Sequence, residues 1–461
     1  MMMPVRLIVL VFFLFSAAGV LAQNKPQKMA EKTRLLFLVD ASGSMLDPWG
    51  GRNQTKLSVA KSILTKIVDS LRRDNKIELA LRLYGHKFPP GVGNCQDTDL
   101  EVPFRANNHQ QIINRINSIQ PKGVTPISYS LEQSANDFPP QSSGYRNLII
   151  LITDGIESCG GDPCATSAAL QKKGVFLQPY IIGLGMRAEK SLECAGMFLN
   201  ADTPGKFYDL LNEALEKSFA KTTVSVLLQG PNQKPVTNVN VSFVNAVSGV
   251  SQYEFVNYLD ARNIPDSVQV DPLVKYNLVV STLPPIVRNN VDIEQGGHTR
   301  ITIPVAQGNL VIRQDGAMDK TIKAIVRQPG KSETLQTQGL NQSVQYLAGD
   351  YEVELLSMPR RTYQVKIAAD KTFTLHIPTP GTVNVNTIGT GYGALYEIKS
   401  DGSQVWVTSL DNLRGVFNLN LLPGKYKIVF RVKNSPGSKY TAYKQFEVVA
   451  GRTHQINVFD P

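Results

Sequence analysis

Three tyrosines frame the second half of this chain. Tyr276, Tyr351 and Tyr426 stand at equal intervals of 75 residues. Each sits in an alternating run: Lys275-Tyr276-Asn277-Leu278-Val279-Val280, Gly349-Asp350-Tyr351-Glu352-Val353-Glu354-Leu355 and Gly424-Lys425-Tyr426-Lys427-Ile428-Val429-Phe430. Each copy opens on an alternating strand (Val224-Ser225-Val226, Leu310-Val311-Ile312, Val383-Asn384-Val385) and closes on another (Ile301-Thr302-Ile303, Phe373-Thr374-Leu375, Ile456-Asn457-Val458). Period-two alternation broken by Gly, Pro, Asn and Asp is the pattern of strands and turns. No helical spacing recurs after about Thr222. The expectation is three tandem all-β sandwich-like modules, over residues 222–307, 308–380 and 381–461.

The first half reads differently. Leu35-Leu36-Phe37-Leu38-Val39 is a continuous apolar run, as a strand buried on both faces requires. Leu57, Ala60, Ile63, Leu64, Ile67, Val68 and Leu71 then recur at helical spacing. Ile77 to Tyr84 reads as a strand with Leu100 to Phe104 returning beside it. Gln110 to Ile119 and Ile127 to Phe138 read as helices, and Leu148 to Thr153 as a second apolar strand. Pro163 to Lys172 is a helix with Pro in its first turn. Val175 to Ile182 is a third such strand, Glu189 to Leu199 a helix, and Phe207 to Phe219 a strand and helix. Strands alternating with helices predict an α/β doubly wound, mostly parallel sheet over residues 28–221.

The N-terminus carries an export pattern. Met1 to Arg6 is basic, Leu7 to Val20 is apolar, and Val20-Leu21-Ala22 ends in a small-residue cleavage site. Residues 1–22 are therefore expected to be a signal peptide, and the mature protein secreted, periplasmic or held in the cell envelope. The apolar run falls short of the ~20 residues of a span. No Cys stands directly after the cleavage point, and no later segment is apolar enough to cross a bilayer. The formal charge of +10 is spread with no block of five like charges, which offers no arm for nucleic acid. Four cysteines, Cys95, Cys159, Cys164 and Cys194, favour two disulfides in an exported chain over a zinc site, since Cys159 and Cys164 lack a second close pair.

The chemistry lies in Asp40-Ala41-Ser42-Gly43-Ser44, a D-x-S-x-S motif directly after the first buried strand. Thr125 stands in Gly123-Val124-Thr125-Pro126, before a helix, and Asp154 in Thr153-Asp154-Gly155, ending the second apolar strand. Loops at the carboxyl ends of an open α/β sheet meet in a crevice. Oxygen donors without sulfur or imidazole suit Mg²⁺, or Mn²⁺ or Ca²⁺. Ser44 and Thr125 also suit helix N-caps, which leaves the two aspartates unexplained.

This set resembles the metal-ion-dependent adhesion site of von Willebrand factor type A domains. The resemblance covers about Thr33 to Lys221 and implies a cation held by Asp40, Ser42, Ser44, Thr125 and Asp154. The three hydroxyls would be direct ligands, and the two aspartates would act directly or through water. It also implies an open position for an acidic side chain of a protein partner. Two pairings of the cysteines stay open. Proximity joins Cys159 to Cys164, whereas the strand order of the family favours Cys95–Cys159 with Cys164–Cys194. Trp49 and Arg52, in the Met45 to Gln54 loop, are either binding anchors or, for Trp49, a tucked-in core residue.

Catalytic signatures are missing. His86, His109, His298, His376 and His454 are scattered, and there is no H-E-x-x-H, G-x-S-x-G or P-loop. The expected function is cation-dependent protein binding, in adhesion or assembly, rather than catalysis. The alternative is a structural envelope protein whose β repeats carry the interactions beside a vestigial metal site.

Overall fold

The computed structural model describes residues 32–50, 53–139, 145–176, 178–186, 190–316, 322–413, 415–435 and 437–459. The expected signal peptide at residues 1–22 and Arg52 lie outside them. The first part of the chain is an α/β sheet of β1 (Lys32–Asp40), β2 (Ile77–Tyr84), β3 (Thr98–Arg105), β4 (Tyr145–Thr153), β5 (Tyr180–Leu184) and β6 (Met197–Ala201). Their order is β3-β2-β1-β4-β5-β6, parallel except for β3, which runs antiparallel to β2.

The apolar run of β1 serves two cores. Leu35, Phe37 and Val39 face one side with α1 (Lys56–Ser70), α2 (His109–Asn117) and α6 (Pro204–Phe219). Leu36 and Leu38 face the other with α3 (Ile127–Ser134) and α4 (Pro163–Lys172). Successive strand residues point to opposite faces, so a strand between two helix layers must be apolar throughout.

Three sequence expectations near the far edge need correction. The strand expected at Val175 to Ile182 begins at Tyr180. Gly174 (φ +71°) closes the turn after α4, and Phe176 is buried in the core from the connecting segment instead. The helix expected over Glu189 to Leu199 is only α5 (Lys190–Glu193), because Met197 to Ala201 pair with β5 as a sixth strand. Leu192 and Ala195 are buried at helical spacing, and that spacing does not reveal the switch to strand. Gly196 lets the chain turn there, since a Cβ on it would lie 2.3 Å from the Pro179 carbonyl oxygen. Phe207 to Phe219 is wholly helical, within α6, whose N-cap Thr203 and first-turn Pro204 start it earlier.

After α6 the chain is all β. Ser267–Val270, Thr222–Gln229 and His298–Pro304 make a three-stranded sheet. Ile286–Val291, Tyr276–Val280, Asn240–Asn245 and Ser251–Val256 make a four-stranded one. The two sheets enclose one core. The same pair of sheets recurs twice more, each time with its opening strand parallel to its closing strand.

The repeated tyrosines are central to these cores. Tyr276, Tyr351 and Tyr426 are all buried, and their hydroxyls donate back to the carbonyls of Asp271 (3.3 Å), Leu347 (2.7 Å) and Leu422 (2.6 Å). A buried phenol needs such a partner. The junctions repeat too, with Leu347 N–H donating to Leu283 O and Leu422 N–H to Met358 O. At the first junction Leu273 enters a core of the α/β sheet and Arg146 bonds Asp271 at 3.0 Å.

Candidate metal centre

Asp40 ends β1 and Asp154 follows the last residue of β4, so the parallel pairing of these strands brings both carboxylates to one edge of the sheet. Thr125 arrives from elsewhere. Ser42 bridges Gly123, Gly43 N–H donates to Gly123 O at 3.0 Å, and Gly123 N–H donates to Gly85 O at 2.7 Å. Gly85 (φ +70°) is needed for this crossing: a Cβ there would meet Val124 O at 2.5 Å and the Ser42 Cα at 3.0 Å.

The five side chains expected from the sequence converge. Ser44 Oγ donates to Asp154 Oδ1 at 2.8 Å and lies 3.1 Å from Ser42 Oγ. Asp40 Oδ1 accepts Ser42 N–H at 2.8 Å. Asp40 Oδ2 accepts Thr153 Oγ1 at 2.8 Å. A Cβ built on Gly155 would stand 3.9 Å from Thr125 Oγ1 and 4.0 Å from Ser44 Oγ, so these two hydroxyls share that opening. Asp40, Ser42, Thr125 and Asp154 are buried, while Ser44 is exposed and marks the side facing solvent.

The electrostatics favour a positive charge here. Burial, and then the neighbouring Asp154 carboxylate, push Asp40 up to about 6. The ammonium of Lys56, at the start of α1, reaches Asp154 Oδ2 at 2.8 Å. Five oxygen donors with no sulfur or imidazole fit a hard divalent ion, and two buried carboxylates beside one lysine leave charge for it to neutralise.

Some supporting residues escape a motif reading. Thr153 holds Asp40. Ser158 Oγ accepts Thr125 N–H at 2.8 Å, and Glu157 accepts the N–H groups of Ser128 and Cys159 at 2.7 and 2.8 Å. These residues fix the loop by backbone contacts, which no side-chain spacing signals. The disulfides are Cys95–Cys159 and Cys164–Cys194, with Cα separations of 5.6 and 5.2 Å, inside the usual range. The first ties the β2–β3 connection to the loop after Asp154. Trp49 is tucked in: it is 9% exposed, donates to Asp202 O at 3.2 Å and packs on Phe207.

A second cluster was not foreseen. His86, Asp99 and Glu101 bring ligand-capable atoms within 4.8 Å of one another. Glu101 also bonds Arg115 at 2.7 Å, and Lys87 bonds Asp99, so two cations already balance these carboxylates.

Residues 35–220 match the von Willebrand factor type A domain family. The uncharacterised protein YwmD of Bacillus subtilis (strain 168) is 29% identical over 212 residues, covering 43% of this chain and 91% of its own length. Uncharacterised YwmC of the same organism is 30% identical over 177 residues, covering 36% of this chain and 76% of its own. The solved pilus adhesin SpaC of Lactobacillus rhamnosus GG aligns over 92% of this chain and 83% of its own, at 12% identity and a TM-score of 0.35, too distant to carry an inference. With the doubly wound sheet, the match over residues 35–220 and the relationship to YwmC, the chain belongs to the von Willebrand factor type A domain family.

Proposed function

We propose that this is an exported binding protein, acting in adhesion or assembly rather than catalysis, whose type A domain recognises a protein partner through a divalent cation. Asp40, Ser42, Ser44, Thr125 and Asp154 would hold the ion, with Mg²⁺ the first choice and Mn²⁺ or Ca²⁺ alternatives. Bound there, the ion would supply a Lewis-acidic position for a partner's carboxylate. The observation carrying this reading is the convergence of the five oxygen donors at one edge of the sheet, with Ser44 open to solvent. Asp40 and Thr153 orient the Ser42 backbone, and the Ser158 loop sets Thr125. The oxygen-only chemistry supports a hard ion without choosing among the three.

The chain would comprise four units, residues 28–221, 222–307, 308–380 and 381–461 after a signal peptide at 1–22, with the β modules positioning the binding domain as a spacer or as further binding surface. Among the described residues no helix is long and apolar enough to cross a membrane. A structural role for the repeats, beside a vestigial metal site, is the second reading. The recurrence of the same backbone contact at Leu283–Leu347 and Met358–Leu422 favours it, since successive modules are joined in one repeated way.

A ligand that binds only the folded state raises its stability. Saturating Mg²⁺ or Mn²⁺ is therefore expected to raise the Tm, and Asp40→Ala to abolish that rise. Equal melting in chelator and in excess metal would favour the second reading.

A further inference from the structure

The three β modules share one topology, so each serves as a control for the others. In the third, the four-stranded sheet is Gln404–Ser409, Gly391–Ile398, Gly424–Val432 and Thr441–Val448 in that spatial order. Leu395, Tyr426, Ile428 and Phe430 point into the core, so the residues alternating with them point out. Cross-strand register puts Trp406 beside Tyr396, Tyr396 beside Lys427, and Tyr392 beside Arg431, with Tyr443 opposite Val429 on the far strand. Trp406 is 58% exposed, Tyr443 65% and Tyr392 39%.

The architecture does not require aromatic residues there. On the corresponding outer face of the first module the register aligns Ser242, Val244, Glu254, Asn277 and Val279. On that of the second it aligns Ile325, Arg327, Glu352, Glu354 and Gln364. Two sheets of the same topology fold with aliphatic, polar or charged residues, and no aromatic ring, at these positions. Exposed aromatics on the third sheet therefore mark a binding surface.

We propose that this face binds an acidic polysaccharide, a polyuronate chain lying across the strands. The two central strands are each paired on both sides, so the face between the sheet's edges presents side chains rather than backbone groups. What it offers is ring faces and cations. Adjacent strands lie ~4.8 Å apart, so Trp406 and Tyr443, three strands apart, span roughly 14 Å, enough for several linked sugars. Lys427 Nζ lies 4.8 Å from the Tyr443 ring centroid, and Arg431 is the direct neighbour of Tyr392. A partner matching this arrangement carries its negative charge directly on the ring that stacks. A uronic acid does so, whereas in a nucleic acid the phosphates are set away from the stacking base.

The test uses the full chain in chelator, which keeps it independent of the metal site. Polygalacturonate is the probe, with dextran and oligo(dT) as the neutral and nucleic-acid controls, read by affinity electrophoresis and calorimetry. Polygalacturonate is expected to bind in preference to both. Trp406→Ala and Tyr443→Ala should each weaken binding about tenfold, as aromatic anchors do, and Lys427→Ala should lessen its salt dependence. All three side chains lie on the outer face, so the variants should keep the wild-type Tm, and a variant that melts early is replaced by Trp406→Gln or Tyr443→Gln. Absence of polygalacturonate binding at low salt, unchanged affinity in a Trp406→Ala, Tyr443→Ala double variant, equal binding of dextran, or preference for oligo(dT) would each overturn the proposal.

Discussion

His86 is 8% exposed, with Nε2 2.8 Å from Glu101 Oε1 and Nδ1 3.9 Å from Asp97 Oδ1. Asp99 and Arg115 complete its charged surroundings. Burial, which outweighs the pull of Glu101, lowers its pKa below the usual 6.5. In the unfolded chain the ring titrates near ~6.5. Below that pH the unfolded state takes up a proton that the folded state resists, so this contribution to stability is present above about 6.5 and lost as pH falls toward the folded pKa. The wild-type Tm is expected to drop more steeply than that of His86→Gln as the pH falls below about 6.5. Parallel melting profiles of the two proteins would contradict this. Nothing in the sequence marks His86, because its partners come from a neighbouring strand. Asp40, by contrast, was legible: a D-x-S-x-S run directly after an apolar strand places its first carboxylate at the strand's end.

At the scale of elements, α1 illustrates a start that side chains fix locally. Thr55 Oγ1 accepts Ser58 N–H at 3.1 Å while Ser58 Oγ accepts Thr55 N–H at 2.9 Å, a reciprocal capping box. Thr55→Ala is expected to cost about 1 kcal/mol in chemical denaturation, and Thr55→Ser much less. A neutral Thr55→Ala would show the helix start to be held by packing alone. The apolar face of α1 was readable because its spacing repeats over four turns, Leu57, Ala60, Ile63, Leu64, Ile67 and Val68 all being buried. At β6 the same reasoning failed. Five residues paired with β5 hold too few turns for periodicity to tell strand from helix, and the pairing that decides it comes from partners 17 residues earlier, Tyr180 for Met197 being the first.

For the whole molecule, the contact between the α/β sheet and the first module turns on Arg146 and Asp271. Their side chains are 7% and 10% exposed, Arg146 Nε also bonds Thr33 at 3.1 Å, and Arg146 also bonds the Ser218 carbonyl. Removing one partner of a buried pair strands the other charge, at a cost of about 3 kcal/mol or more. Arg146→Ala is expected to lose that much stability and to expose the chain near Lys221 to limited proteolysis. Wild-type resistance at that point would show that the junction holds without the pair. The repeat itself was legible across this scale, since the 75-residue interval needs no knowledge of which strands pair. The junctions were not, because Leu283, Leu347, Met358 and Leu422 meet through backbone groups that carry no sequence signature.

Sequence alone determined the α/β sheet followed by all-β modules. Continuous apolar runs, helical spacing and a fixed repeat are local consequences of which faces must be buried. It also placed Asp40 and Asp154 at two strand ends that meet in one crevice, and the resemblance to the type A family joined Ser42, Ser44 and Thr125 to them. Tertiary structure decided what depends on distance across the chain: that Cys95 meets Cys159 and Cys164 meets Cys194, that Trp49 turns inward onto Phe207, and that residues 197–201 join the sheet. It also decided that one of three similar sheets carries Tyr392, Trp406 and Tyr443 outward, because the face on which a side chain emerges follows from strand register, and register is fixed only when the strands pair.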